Sequence, residues 1–462
     1  VSVASRLLIP GCGAALLALF GLLYATDTAL YLRVLGWVTG NPAAHPFIDW
    51  EWIPAAAACW RRGVDVYADN ICYAPFAHGR HGYSPLWLRM SFLPYGRIWL
   101  APFGVGIALL CFAALATLPP PRGGFAGWLT LLATFSPLTA FAIERGNVDL
   151  ILLALMVAGV WCWLGTPRWR LLGYGLLMLA GLLKFYPFVL LVLALRERGR
   201  VRAAIAAATM AVLLAFGLAF HAELGRIGAN IARGSPFGDM FAAVDLPDGV
   251  VAIGVQVARD MGQPDAWIVR HQTLPGAAGT GLLTLAALLG AARLARRCRL
   301  DAALAAMPRA EAGFLVAAAA LVCGCFFAGQ NVGYRAIMLL PALPGLLWLA
   351  RALPDPRDRW VFRAACAAIV LVMWVLAIRQ AIAATGVGSL VFLAHWLLHQ
   401  LAWWWLVTVL ASLLWTWGLG TSPQRGAGAA PLALLCFTRS RPFTRSRPFT
   451  HSRPFTHSRR GG

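Results

Sequence analysis

Apolar runs broken by short polar turns repeat along most of the chain, and their length decides the kind of element they predict. A helix rising about 1.5 Å per residue needs about 17 to 25 apolar residues to cross a bilayer. Runs near that length lie at 7–24, 97–118, 124–141, 148–165, 202–220, 276–294, 312–328, 336–350, 360–383 and 400–419. The stretch 386–399 reads as an interfacial helix leading into the last span. The first run has no cleavage signature after it, so it is expected to stay as a span. The pattern predicts an all-α polytopic membrane protein with a bundle of about 10 to 12 transmembrane helices over residues 1–420.

One run behaves differently. Residues 171–195 are flanked by Arg168 and Arg170 on one side and by Arg196, Arg198, Arg200 and Arg202 on the other. A simple span would put one of these clusters on the wrong side of the membrane. The step Lys184-Phe185-Tyr186-Pro187 interrupts it, because proline removes a donor and disfavours helix in the residue before it. The expectation is a broken re-entrant pair, two short helices meeting at a tip inside the membrane with both ends cytoplasmic.

Arginine placement tests this topology. With the N-terminus inside, the arginine-bearing loops 119–123, 166–170, 196–202, 295–311 and 351–359 all fall inside. The outside receives loops 25–96 and 221–275 and the turns near 144, 329–335 and 384. Four polar segments then share the outer side: "HPFIDWEWIP" (45–54), "ERGNVD" (144–149), "KFYP" (184–187) and "QNVGYR" (330–335).

Composition agrees with the membrane reading: hydrophobic residues make up 60%, charged residues 12%, and the mean hydropathy is +0.70. The net charge of +21 is spread over loops and tail, so it matches the cytoplasmic side of a membrane and gives no reason to expect nucleic acid. From Phe437 the tail repeats "FTRSRP", "FTRSRP", "FTHSRP", and 421–462 reads as a disordered, arginine-rich extension. Cys59 and Cys72 share a polar loop and can pair if that loop faces an oxidising compartment.

Each polar segment has a plain reading and a functional one. In "ERGNVD", Gly146 can end one helix, Asn147 can cap the next, and Asp149 suits a first helical turn. Functionally, Arg145 would hold an anionic headgroup, and Glu144 or Asn147 would bind a sugar hydroxyl. Lys184 is the one lysine among 39 basic residues. A charge near mid-membrane costs about 2.5–3.5 kcal/mol, so it either snorkels or faces a partner such as a phosphate. Tyr186 lies on the same tip. Asp49, followed by Trp50, Trp52 and Pro54 in a stretch that reads as an apolar, interfacial helix start, is either a cap or loop carboxylate or a general base whose apolar surroundings raise its pKa, and Glu51, two residues on, is the fallback base. Asn331, Tyr334 and Arg335 precede a span, where Arg335 is an interfacial anchor or an anion ligand. There is no glycine-rich phosphate loop with its lysine, no HExxH and no nucleotide-binding strand-turn-helix unit.

These residues resemble the integral-membrane glycosyltransferases of the GT-C superfamily, and among them the polyprenol-phosphate-mannose-dependent mannosyltransferases. The resemblance rests on an early outer-loop aspartate followed by "RRGVDVY" (61–67) and "YSPLW" (83–87), then "GNVDLILLAL" (146–155) and "GLLKFYPFVLL" (181–191). It covers residues 45–200 best; "NVGYRAIMLLPALP" (331–344) is less specific. It implies transfer of a hexose, mannose in that family, from a polyprenyl-phosphate donor to a lipid or glycan acceptor on the outer face, with inversion. Asp49 would act as catalytic base. Glu51, Glu144, Arg145, Asn147, Asp149, Lys184, Tyr186, Asn331, Tyr334 and Arg335 would bind substrate. No cofactor or metal is called for. The competing expectation is a transporter or flippase that carries a phosphate-linked lipid without chemistry.

Overall fold

A computed structural model describes residues 3–40, 45–73, 79–90, 92–230, 234–263, 273–386 and 388–419. The repeat tail, and with it the 421–462 segment, lies outside the described residues. The regular elements of the described chain are helices apart from one antiparallel pair of two-residue strands, Met240–Phe241 with Asn331–Val332.

The protein is a multi-pass membrane protein. Among the described residues, eight helices are long and apolar enough to cross a bilayer, or nine if Pro356–Met373 and Val375–Ala384, bent by 58° at Trp374, count as one broken span. The run expected at 360–383 falls on this bent pair. Asp149–Leu164 is shorter than the others, with 16 residues or about 24 Å of rise. Arg309–Ala328 and Gly333–Ala352 are almost wholly buried at the centre, whereas Gly199–Ala219 buries only Ile205 and Phe216. An apolar helix can remain on the rim in this way because lipid satisfies its side chains as well as protein does, while its backbone bonds stay internal.

Three expectations change. The stretch 386–399 is not a separate interfacial helix, because His395 and His399 lie within one 31-residue helix, Ser389–Leu419. Segment 25–96 is not a plain loop, since it contains Thr28–Thr39, Ile48–Arg61 and Pro85–Arg89. The broken pair is present, as the α-helix Pro167–Lys184 and the 3-10 helix Tyr186–Arg196, but its first arm is not short. Eighteen residues rise about 27 Å, so this arm alone is nearly as long as the hydrocarbon layer is thick.

The arms fold back on each other. Arg170 meets Glu197 at 3.2 Å, and the Tyr174 hydroxyl donates to the same carboxylate at 3.0 Å, joining the start of one arm to the end of the other. Near the tip, Gly181 leaves room for Phe188: a Cβ there would lie 2.5 Å from its ring.

Candidate functional site

The hairpin tip, the Glu144 turn, the Asp49 helix and the 330–335 turn meet at one place. Ile48–Arg61 is anchored there because Phe47 N–H donates to the Glu144 carbonyl at 2.6 Å and the Tyr73 hydroxyl donates to the Ile48 carbonyl at 2.7 Å. Gly146 ends Pro137–Arg145 at φ +60°, a left-handed position that costs an L side chain about 1–2 kcal/mol. A Cβ there would come within 3.1 Å of the Phe47 backbone and 3.2 Å of Trp50 Cβ. The sharp turn sends Arg145 and Asn147 into the same space. On the other side, Trp87 Nε1 donates to the Leu183 carbonyl at 3.1 Å and ties the 85–89 helix to the hairpin tip.

Asp149 is the hub. Its side chain is fully buried and accepts from Lys184 Nζ at 2.7 Å, Tyr186 OH at 2.9 Å and Arg335 Nε at 3.0 Å, while its backbone N–H donates to Asn147 Oδ1 at 3.0 Å. Asn147 bridges the two carboxylates: its Nδ2 donates to Asp49 Oδ2 at 2.7 Å and to the Tyr334 hydroxyl at 2.8 Å. Asn147 Oδ1 also accepts from Lys184 at 3.4 Å. Arg145 stands over the Phe141 ring and contacts Asp49 at 3.6 Å and Glu144 at 3.9 Å. Arg335 also donates to Asn331, whose own Nδ2 is taken up by the Cys325 and Gly329 carbonyls, both at 2.6 Å. Asn331 thus pins the turn that presents Arg335.

Electrostatically the cluster is balanced: Asp49, Glu144 and Asp149 face Arg145, Lys184 and Arg335. Packing by protein pushes the Asp49 carboxyl above its usual range, against the pull of Arg145, the Asn147 hydrogen bond and Lys184. A fifth of its side chain remains open, so it is the carboxylate of the pair that can be reached, whereas Asp149 cannot.

Glu51 is not part of this cluster. It pairs with His45 at 3.3 Å, because residues two apart on a helix point to different faces. Glu144 is nearly buried and borders a separate apolar cavity of about 900 Å3. That cavity is lined by the first helix, at Leu17 and Tyr24, by Arg97–Ala116, at Leu100 and Phe112, and by Phe47 and Glu144. Among the described residues, no three His, Cys, Asp or Glu side chains gather as a metal-binding set.

Tyr83 escaped the sequence reading as a site residue, although "YSPLW" was noted. Its ring lies 5.3 Å from Lys184 Nζ. Phe47 and Phe185 also escaped it. Among the described residues only three non-glycine positions have positive φ, and these two flank Asp49 and Lys184. Such backbone is uncommon and concentrates where the surroundings force it.

No protein-family model, curated protein or solved structure matches the chain.

Proposed function

We propose that the protein is a membrane glycosyltransferase that moves a hexose, mannose by the resemblance, from a polyprenyl-phosphate donor to a lipid or glycan acceptor on the outer face of the membrane. The observation that carries this reading is a partly open carboxylate, Asp49, 3.6 Å from Arg145 and joined through Asn147 to the Asp149 group that holds Lys184 and Arg335, with the neighbouring Glu144 bordering an apolar cavity large enough for lipid chain.

In this reading Asp49 takes the proton from an acceptor hydroxyl as its oxygen attacks the anomeric carbon. The bond from that carbon to the phosphate oxygen breaks, and the lipid phosphate leaves with the electron pair. A cation that has moved onto the phosphate as the donor binds then holds the charge that develops in the reaction. Arg145 is best placed for this, because its contacts to Asp49 and Glu144 are the longest in the cluster and the easiest to exchange for phosphate. Lys184 and Arg335, closer to Asp149, hold the tip and the 330–335 turn around it. Glu51, turned towards His45, gives no support as an alternative base.

Two features favour the outer face. Cys59 and Cys72 are disulfide-bonded, and Cys59 shares the Asp49 helix; such bonds persist in oxidising compartments. The far end of the hairpin carries the arginines expected inside.

A lipid carrier would also use the cavity and the cations, but it would not need a base. Purified, reconstituted protein given radiolabelled polyprenyl-phosphate mannose and a membrane lipid extract separates the two. Transfer by the wild type that is lost in Asp49→Asn while donor binding survives is the expected result. No transfer, with lipid moved between leaflets equally well by Asp49→Asn, would replace the enzyme with the carrier.

A further inference from the structure

A second cavity, of about 310 Å3, lies between Phe237–Asp239, the bent span at Arg379 and the start of the last helix at His395, Trp396 and His399. None of these residues belongs to the Asp49 cluster. The size is at the lower end for pockets that hold small molecules.

Its chemistry is specific. Arg379 grips Asp239 through two contacts, Nη1–Oδ1 at 2.6 Å and Nη2–Oδ2 at 3.0 Å, so the pair carries no net charge. An anion would have to displace Asp239, whereas a neutral hydroxyl can use donors of one partner and lone pairs of the other without separating them. His395 and His399 stand four residues apart on one helix face. His399 Nε2 accepts from Trp403 Nε1 at 3.0 Å, which leaves its proton on Nδ1. His395 Nε2 is buried and has no hydrogen-bond partner among the described residues, although it belongs to a group lining this cavity. Closed to water as it stands, that atom meets a ligand hydroxyl only when the ring turns towards the cavity it lines. Phe237 and Trp396 form an aromatic corner, ring centroids 5.0 Å apart at 52°, and the Trp396 N–H is already used by the Pro236 carbonyl. Aromatic faces beside a few neutral donors and acceptors match the alternating C–H faces and hydroxyls of a pyranose.

The pocket is also coupled to the cluster. The Asp239 carbonyl accepts from Gly333 N–H at 2.6 Å, and the next residues form the strand pair Met240–Val332 and Phe241–Asn331. The residue after Gly333 is Tyr334, which binds Asn147.

We propose that this cavity is a second saccharide subsite, which holds a neutral sugar unit of the acceptor while another unit of the same acceptor meets Asp49. This rests on the glycosyltransferase reading for its purpose, but its ligand chemistry can be measured alone.

The test uses the full chain in lipid nanodiscs and saturation-transfer NMR with methyl mannoside, methyl glucoside and methyl galactoside as probes. Inorganic phosphate serves as competitor. Wild type and Asp49→Asn should bind at least one glycoside equally, phosphate should not displace it, and Phe237→Ala and His395→Ala should each weaken it by about tenfold, the effect of losing one good contact. Melting curves confirm that both variants are folded, and Phe237 is the safer of the two because it is already exposed. Glycoside binding that is unchanged in both variants, absent in wild type, or displaced by phosphate overturns the inference. Sugar transfer measured in parallel separates the two readings. Transfer without glycoside binding removes the subsite and leaves the enzyme, whereas variant-sensitive binding without transfer keeps the subsite and removes the enzyme.

Discussion

Replacing Asp149 by Asn tests whether the cluster is held together by one buried carboxylate. The substitution keeps the shape of the side chain and removes its charge from between Lys184, 2.7 Å away, and Arg335, 3.0 Å away. Solvent offers little relief, because the Asp149 side chain is fully buried and those of Lys184 and Arg335 are only 10% and 19% exposed. Removing one partner of a buried ion pair costs about 3–5 kcal/mol, and here two cations lose the same partner. With an unfolding entropy of ~2.1 cal/mol/K per residue over roughly 400 residues, a 4 kcal/mol loss lowers the melting temperature by about 5 °C. Intrinsic tryptophan fluorescence in detergent reads this directly. The double variant Asp149→Asn with Lys184→Met should recover part of the loss, with a coupling of about 1 kcal/mol or more. A single variant that melts within about 1 °C of wild type, or a double variant that is simply additive, would refute the hub.

Asp49→Asn should change how stability depends on pH: burial holds the folded carboxyl above its ordinary value, so its contribution is full below that value and is lost as pH rises through the raised one. Melting curves from about pH 4 to 8 should therefore fall less for Asp49→Asn than for wild type, and parallel curves would count against a raised pKa. Gly146→Ala should destabilise by about 1–2 kcal/mol from its positive φ alone, with more from the contact to the Phe47 backbone; an unchanged melting temperature would contradict the turn geometry. Reducing the Cys59–Cys72 bond frees a loop closed over 13 residues and should cost about 3 kcal/mol, read as a drop in melting temperature with reductant that Cys59→Ser/Cys72→Ser already shows without it.

The convergence of four polar segments was legible because arginine placement fixes which turns share a side, and parity along the chain does the rest. The pairings were not legible. Asp149 looked like a first-turn carboxylate, and local spacing contains nothing that names Lys184, 35 residues on, or Arg335, 186 residues on, as its partners. Glu51 was set beside Asp49 because it lies two residues away in a stretch that reads as a helix start. Carrying that helix through Ile48–Arg61, despite Pro54 inside it, puts the two on different faces. The hairpin was legible from its flanking arginines and Pro187, but its reach was not, since reach depends on how far helix persists before the break. Phe185, at φ 57°, ends that helix without glycine, and no local rule predicts it there.

Charge balance links these parts on the proposed reading. Three carboxylates facing three cations leave no surplus positive charge for a phosphate, so a donor headgroup can enter only by taking a cation from its carboxylate. Arg145 yields first, because its 3.6 Å and 3.9 Å contacts are weaker than the 2.7 Å and 3.0 Å contacts that fix Lys184 and Arg335 on Asp149. The carboxylate it leaves is Asp49, and losing a neighbouring positive charge raises the proton affinity of a carboxylate that burial has already raised. The base therefore becomes stronger when the leaving group is seated, while Asn147 keeps it aligned through a 2.7 Å hydrogen bond. On that reading Asp149, out of reach of solvent, keeps Lys184 and Arg335 paired while Arg145 moves.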